Sequence, residues 1–212
     1  MNQIINDALK PVLVSSLEAQ FHYLYFMLKI LTDLIGALLG LIIALPVLVI
    51  AMILILIFDR QNPIFIQARL GKSKHIFQII KLRTMKNNQV TSLGNLLRKT
   101  GIDEIPQLLN ILFLQMSFVG PRPLTKADTE RLGWNDPYHA TRWNSRPGIT
   151  GLAQLSPICH KKMSWFLDQK YTNCQNILLD LKIILSSIAV LFVGKKKAVQ
   201  WMHSNRNHAG TR

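Results

Sequence analysis

LIGALLGLIIALPVLVIAMILILIF, from Leu34 to Phe58, carries no charged residue in a chain of 212. At about 1.5 Å of rise per residue, its roughly 25 residues are enough to cross a hydrocarbon core of about 30 Å. The run is too long for a signal peptide, starts too far from the N-terminus, and lacks a small-residue cleavage site before the body that follows. Pro46 interrupts it near the middle, removing one helical hydrogen bond and crowding the preceding turn. Two shapes are open. A kinked spanning helix puts its flanks on opposite faces of a bilayer. A helix-break-helix dips in and returns on arms of about 12 residues, each reaching about 18 Å, and leaves both flanks on one face. The residues alone slightly favour spanning, because prolines in transmembrane helices are tolerated.

Charge divides around this run. Residues 1–59 hold only Lys10 and Lys29 as bases, against Asp7, Glu18, Asp33 and Asp59, so the excess of +14 lies beyond it. Arg60, Arg69, Lys72 and Lys74 crowd the exit, and the positive-inside bias assigns the body to the cytoplasmic face. Phe21, Tyr23, Tyr25 and Phe26, at the entry, suit the headgroup level. The expected division is an N-terminal extension (1–28), a membrane helix (29–58) broken at Pro46, a catalytic body (59–194) and a basic tail (195–212). Such a body suits anionic headgroups and phosphorylated substrates. Nucleic acid is not expected, since there is no recognition motif and few aromatics interleave with the cations. Cys159 and Cys174 fit no paired metal spacing and read as reduced thiols.

Within the body, β-branched and aromatic runs at Ile64–Gln67 and His75–Leu82, separated by Gly71, predict a small hairpin. Leu93, Leu96 and Leu97, then Ile105, Leu108, Leu109 and Leu112, follow helical spacing on either side of Thr100-Gly101. Asp103 and Glu104 are the only acids between Arg60 and Ala127, and they fall where a helix N-terminus leaves amides unpaired and favours ionised carboxylates. Two acids in a basic field suit phosphoryl transfer, as nucleophile, base or metal ligand; a dipole-complementing first turn is the plainer alternative. Prolines on both sides of Arg122 hold its guanidinium in a defined direction for phosphate, and Arg146-Pro147-Gly148 repeats that logic. Ile177–Val193 is marginal for a span and carries Asp180 and Lys182, so an interfacial helix is expected there, with Lys195–Lys197 as either an anionic-lipid contact or a solvated tail.

Four motifs in order, Lys81-Leu82-Arg83-Thr84-Met85, Arg98 to Asn110, Met116 to Pro123 and Arg146 to Gln154, make the chain resemble the bacterial sugar transferases, small monotopic phosphoglycosyl transferases. The resemblance covers about residues 29–193. It implies a mostly α protein with a small β-hairpin, in which a re-entrant membrane helix joins a compact cytoplasmic α/β catalytic domain with interfacial amphipathic helices at the bacterial inner membrane. It implies transfer of a sugar 1-phosphate from a UDP-sugar to undecaprenyl phosphate with Mg2+, releasing UMP and initiating exopolysaccharide, O-antigen or glycoprotein glycan assembly. Asp103 would be the nucleophile and metal ligand, and Glu104 would assist attack by the lipid phosphate. Arg98 and Arg122 would hold phosphate, with Pro121 and Pro123 framing the latter, and Arg83 and Arg146 would join the substrate site.

The chain departs from the family pattern at Leu45, where a serine is usual before the proline, and after Gln154, where Leu155 to Lys162 replace a Gly-Arg element. The second departure keeps the sugar undetermined. Asp168 and Tyr171 match family positions of structural or membrane-proximal role. Inner-membrane lipids are expected partners, and homo-oligomerisation is left open. A catalytically silent scaffold of the same fold is the competing reading; a membrane-tethered nucleic-acid binder rests only on charge.

Overall fold

The structure, a computed structural model, describes residues 2–157 and 160–193. The basic tail expected over 195–212, with its lysine run, and Cys159 lie outside the described residues. Helix α1 runs from Asn2 to Leu54, passing without a break through the border expected after residue 28. A π-helical turn, Ile55–Asp59, ends it, and Arg60 beyond takes a left-handed conformation (φ 51). Between Tyr23 and Asp59 the helix is long and apolar enough to cross a membrane.

The break expected at Pro46 is absent: helical structure continues through it. Packing explains the difference. Ala37, Leu48, Ala51 and Ile55 are buried along one face on both sides of Pro46, which itself lies on the exposed side. An interior proline costs about 3 kcal/mol, while burying a leucine or isoleucine returns about 1.5–3 kcal/mol each. Leu48 and Ile55 together suffice to hold the helix on course. The opposite face stays uncovered, with Leu39, Ile42, Ile43, Ile50 and Phe58 all exposed.

Both ends of the apolar run are bonded to the same body. At one end Lys29 Nζ donates to Asp180 Oδ2 (2.6 Å) and to Tyr171 Oη (3.1 Å). One helical turn on, Asp33 accepts from Ser117 Oγ (3.1 Å) and the Phe118 amide (3.2 Å), and pairs with Arg146 (3.2 Å). At the other end Asp59 Oδ2 accepts from Thr91 Oγ1 (2.9 Å).

The body begins with the expected hairpin: β1 (Ile64–Leu70) pairs antiparallel with β2 (Ile76–Leu82), from Ile64↔Leu82 to Leu70↔Ile76. Alternation along β2 buries Phe77 and Ile79 against Ala37 of α1 and Leu108, Ile111 and Met116 beyond. A second, two-residue ladder, β3 (Met85–Lys86) and β4 (Gln89–Val90), turns through Asn87 and Asn88, both at positive φ (51 and 62), as tight hairpins prefer. Helix α2 (Ser92–Thr100) is capped by Thr91 Oγ1, which accepts from the Gly94 amide (2.9 Å), and closes at Gly101 in the left-handed region (φ 73). A 3-10 turn, Ile102–Glu104, leads through Pro106 into α3 (Gln107–Leu112).

Strand β5 (Ser117–Val119) leads to α4 (Lys126–Leu132), started by a Thr125–Asp128 capping box, and a 3-10 stretch, Pro137–Asn144, follows. Strand β6 (Gly148–Thr150) then returns parallel to β5. The loops flanking these strands touch backbone to backbone. A Cβ on Gly120 would lie 2.2 Å from the Arg146 carbonyl oxygen, and one on Gly148 2.1 Å from the Gly120 nitrogen. Helices α5 (Leu152–Leu155), α6 (Lys161–Cys174) and α7 (Ile177–Val193) close the fold. Phe166 on α6 and Leu178, Leu181, Leu185 and Ile188 on α7 are exposed apolar residues.

Candidate active site

The 3-10 turn sets Asp103 and Glu104 at the edge of a cleft of about 1130 Å3, enclosed by β1, β2, the Asn87-Asn88 hairpin and the start of the loop after β5. Asp103, Glu104, Arg83, Arg98 and Arg122, widely separated in sequence, all line it. Lys81 and Arg69, which the basic run had not singled out as site residues, line it as well. Each reaches inward by strand alternation, Arg69 from β1 and Lys81 from β2.

The acids differ. Glu104 is half-buried and receives Lys81 Nζ at 2.7 Å. Asp103 is buried, lines the cleft, and among the described residues receives no hydrogen bond from another side chain. Burial pushes its carboxyl above the ordinary range and neighbouring Glu104 adds to the rise, with Lys81 and Arg98 opposing. The ionising effect expected of a helix N-terminus is thus outweighed by desolvation. Lys81 and Arg98, by opposing the rise, favour its anionic form.

The arginines divide. Arg122 is exposed, and its loop is held by Arg142, which donates to the Arg122 carbonyl. Arg142 is itself clamped by Asp168 Oδ2 (2.8 Å) in a buried pair. This gives Asp168 the structural role expected of it and makes Arg142 a positioning residue that sequence reasoning missed; a lone arginine beside a tryptophan gives little signal. Arg98 Nε donates to Thr84 Oγ1 (2.8 Å), which fixes its stem on α2. Arg83 lines the cleft, but its Nε donates to the Asn62 carbonyl (2.8 Å) and an Nη to Ile64 (3.1 Å), so much of its fork is already bonded.

Arg146 is elsewhere. Its side chain is buried against Asp33 of α1 (3.2 Å) and does not line the cleft, so the geometry gives no support to its expected substrate role: the partner is an acid from the apolar helix, far off in sequence. Pro121 is also away from the lining, its carbonyl accepting from the Gly148 amide (3.0 Å), whereas Pro123 borders a small annex of the cleft.

Mg2+ ordinarily takes one or two carboxylates and completes its shell with substrate phosphate and water. Asp103, facing the cleft with no side-chain donor on it, fits such an arrangement. No group of three or more His, Cys, Asp or Glu side chains among the described residues could cage a metal unaided. Any ion here would be shared with a phosphorylated ligand.

A cationic cleft around a buried carboxylate, on a body tied to an apolar helix, defines a site suited to anionic groups beside a segment long and apolar enough to cross a membrane. The chain belongs to the bacterial sugar transferase family, whose model matches residues 24–194. A UDP-glucose:undecaprenyl-phosphate glucose-1-phosphate transferase of Caulobacter vibrioides is 34% identical over 169 residues, covering 69% of this chain and 62% of that protein. A putative undecaprenyl-phosphate N-acetylgalactosaminyl 1-phosphate transferase of Bacillus subtilis is 38% identical over 121 residues, 50% of this chain and 68% of that one. A UDP-N-acetylgalactosamine-undecaprenyl-phosphate N-acetylgalactosaminephosphotransferase of Aeromonas hydrophila is 27% identical over 190 residues, 81% and 45% respectively. The chain therefore spans about half to two-thirds of these relatives, whose names carry different sugars.

Proposed function

We propose that this protein transfers a sugar 1-phosphate from a UDP-sugar to undecaprenyl phosphate, opening the assembly of a bacterial polysaccharide. The observation that carries the reading is the buried, cleft-facing Asp103 beside Glu104 amid Lys81, Arg98 and Arg122. The named relatives supply the substrate classes.

In the first half-reaction an Asp103 carboxylate oxygen attacks the β-phosphorus of the UDP-sugar. The bond from that phosphorus to the bridging oxygen breaks, and UMP departs with the oxygen. Arg98 and Arg122 neutralise the diphosphate so that a carboxylate can approach, which is the electrostatic part of such catalysis. Mg2+, held by Asp103 together with diphosphate oxygens, would add charge neutralisation. In the second half-reaction an oxygen of the lipid phosphate attacks the same phosphorus, the bond to Asp103 breaks, and the carboxylate is regenerated. Glu104, steadied by Lys81, accepts any proton carried by the lipid phosphate. A covalent intermediate lets a water-soluble donor and a lipid acceptor use one site in turn.

The helix reading follows from its bonds. A spanning α1 would carry Lys29 and Asp33 across the bilayer from Asp59, yet all three are bonded to one body. This supports a helix both of whose ends lie on the cytoplasmic face of the inner membrane, with its uncovered apolar side in lipid. A cysteine at exposed position Gln20 is expected to react with an impermeant reagent only after cells are permeabilised; labelling of intact cells would reject this topology.

The functional test uses membranes bearing the full chain, undecaprenyl phosphate, Mg2+ and a panel of UDP-sugars, with UMP as readout. One sugar should release UMP, and Asp103→Asn should cut that release by at least about 10³-fold, as expected for loss of a nucleophile. Unchanged release by the variant would overturn the assignment.

A further inference from the structure

The C-terminal end of the apolar helix is bonded to a wall of the cleft. Asp59, last residue of the π-helical turn, is buried, and among the described residues it makes no ion pair. A buried carboxylate without a counter-charge is a costly way to end a helix. Its Oδ2 accepts from Thr91 Oγ1 (2.9 Å), and its main-chain carbonyl accepts from Lys86 Nζ (2.8 Å). Lys86 and Thr91 stand on either side of the Asn87-Asn88 turn, and Met85, Lys86, Asn87 and Asn88 all line the cleft. Asp59 therefore holds that wall from both sides.

Thr91 carries the hold onward. It is the N-cap of α2, and Thr91, Gly94 and Arg98, spaced three and four apart, form one stripe of that helix. All three meet Thr84. The Thr91 amide donates to the Thr84 carbonyl (3.1 Å), a Cβ on Gly94 would lie 2.1 Å from the same oxygen, and Arg98 Nε donates to Thr84 Oγ1 (2.8 Å). The Thr91 hydroxyl proton is committed to Asp59, which leaves the oxygen's lone pairs for the Gly94 amide (2.9 Å). One hydroxyl thus joins the end of α1 to the first turn of α2, and the stripe it starts finishes at a cation lining the cleft.

We propose that Asp59 is a positioning residue: through Thr91 and Thr84 it registers Arg98 in the cleft, which Asp59 itself does not line. The assignment of Arg98 to the donor diphosphate rests on the transferase reading above. Without the carboxylate the Thr91 hydroxyl loses its acceptor, the base of the β3–β4 hairpin and the start of α2 loosen together, and Arg98 loses its fixed place relative to Asp103.

The test is a double-mutant cycle on full-length protein in detergent: wild type, Asp59→Ala, Arg98→Met and the double variant, with Asp59→Asn and Asp103→Asn beside them. Two quantities are read per folded molecule: kcat and KM from UMP release with the donor chosen by the panel, and affinity for inorganic pyrophosphate by calorimetry. Asp59→Ala should lower kcat/KM about 10-fold, the scale of one lost hydrogen bond to a charged group, and weaken pyrophosphate several-fold. In the Arg98→Met background it should change neither. Asp59→Asn keeps an oxygen acceptor for Thr91 and should restore near wild-type kinetics. Losses that multiply in the double variant would overturn the proposal and mark Asp59 as structural. Wild-type kinetics and pyrophosphate affinity in Asp59→Ala would also overturn it, as would an Asp59→Asn no better than Asp59→Ala, since the bond to Thr91 would then not be what matters. If Asp59→Ala does not fold, Asp59→Leu, close in shape and suited to the end of an apolar helix, carries the same cycle. Failure of the transferase reading has a different signature: Asp103→Asn keeps UMP release. The pyrophosphate cycle still decides the role of Asp59 in that case.

Discussion

Arg122 and Arg146 stand in loops that look alike, each beside proline and close to glycine, and the two loops touch through Gly120 and Gly148. They serve different partners. Arg122 points an exposed guanidinium into the cleft, whereas Arg146 is buried against Asp33 and ties the body to α1. The lesson is that a stiff loop fixes where an arginine starts, but the nearest unpaired charge decides what it does. Asp33 pairs with Arg146, whereas Arg122 makes no ion pair among the described residues.

Arg146→Met should break the anchoring half of this comparison. It leaves Asp33 buried without its ion pair, at a cost of about 3–5 kcal/mol, to be read as lowered melting temperature in detergent, with turnover per folded molecule unchanged. Wild-type stability with a raised KM for the donor would return Arg146 to the substrate site. Arg122→Met should do the reverse. Losing charge-assisted bonds of about 1.5–3 kcal/mol lowers kcat/KM about 10- to 100-fold with little change in melting temperature; a large melting shift would mean the two loops are not functionally separate.

The smallest effect sharpens the electrostatics. Burial and Glu104 raise the Asp103 carboxyl, so the ionised nucleophile, and with it turnover, is lost as pH falls through that raised value. Stability runs oppositely. A carboxyl raised on folding favours the native state fully below its unfolded pKa, near about 3.9, and that contribution disappears as pH rises through the folded value. Glu104→Gln removes the like charge and should move the acid limb of the pH–rate profile to lower pH. An unmoved limb would show that burial alone sets it.

The hairpin, the α2–α3 break at Gly101 and the acid pair were legible because each depends on neighbours in sequence: alternation, a left-handed cap, an isolated charge type. Arg98 and Arg122 carried a signal in the motifs around them, although more distant residues, Thr84 and Arg142, hold them in place. What escaped depends on distant partners. Pro46 reads as a break until the packing of Leu48 and Ile55 outweighs it. Arg146 reads like Arg122 until Asp33 arrives from more than a hundred residues away. Asp59 reads as the plain end of an apolar run until Thr91 and Lys86 meet it.

The bonds that fasten both ends of α1 also bear on how the protein can be handled. Lys29 and Asp33 are not spacers on a detachable anchor; they complete Asp180, Tyr171 and Arg146 inside the folded body. Deleting residues 1–59 to obtain a soluble enzyme would therefore strip counter-charges from the interior as well as lipid contacts from the surface. Fusing the body to an unrelated membrane helix would have the same defect. For this protein the apolar helix is part of the folded body's own architecture, and the two form one unit of engineering.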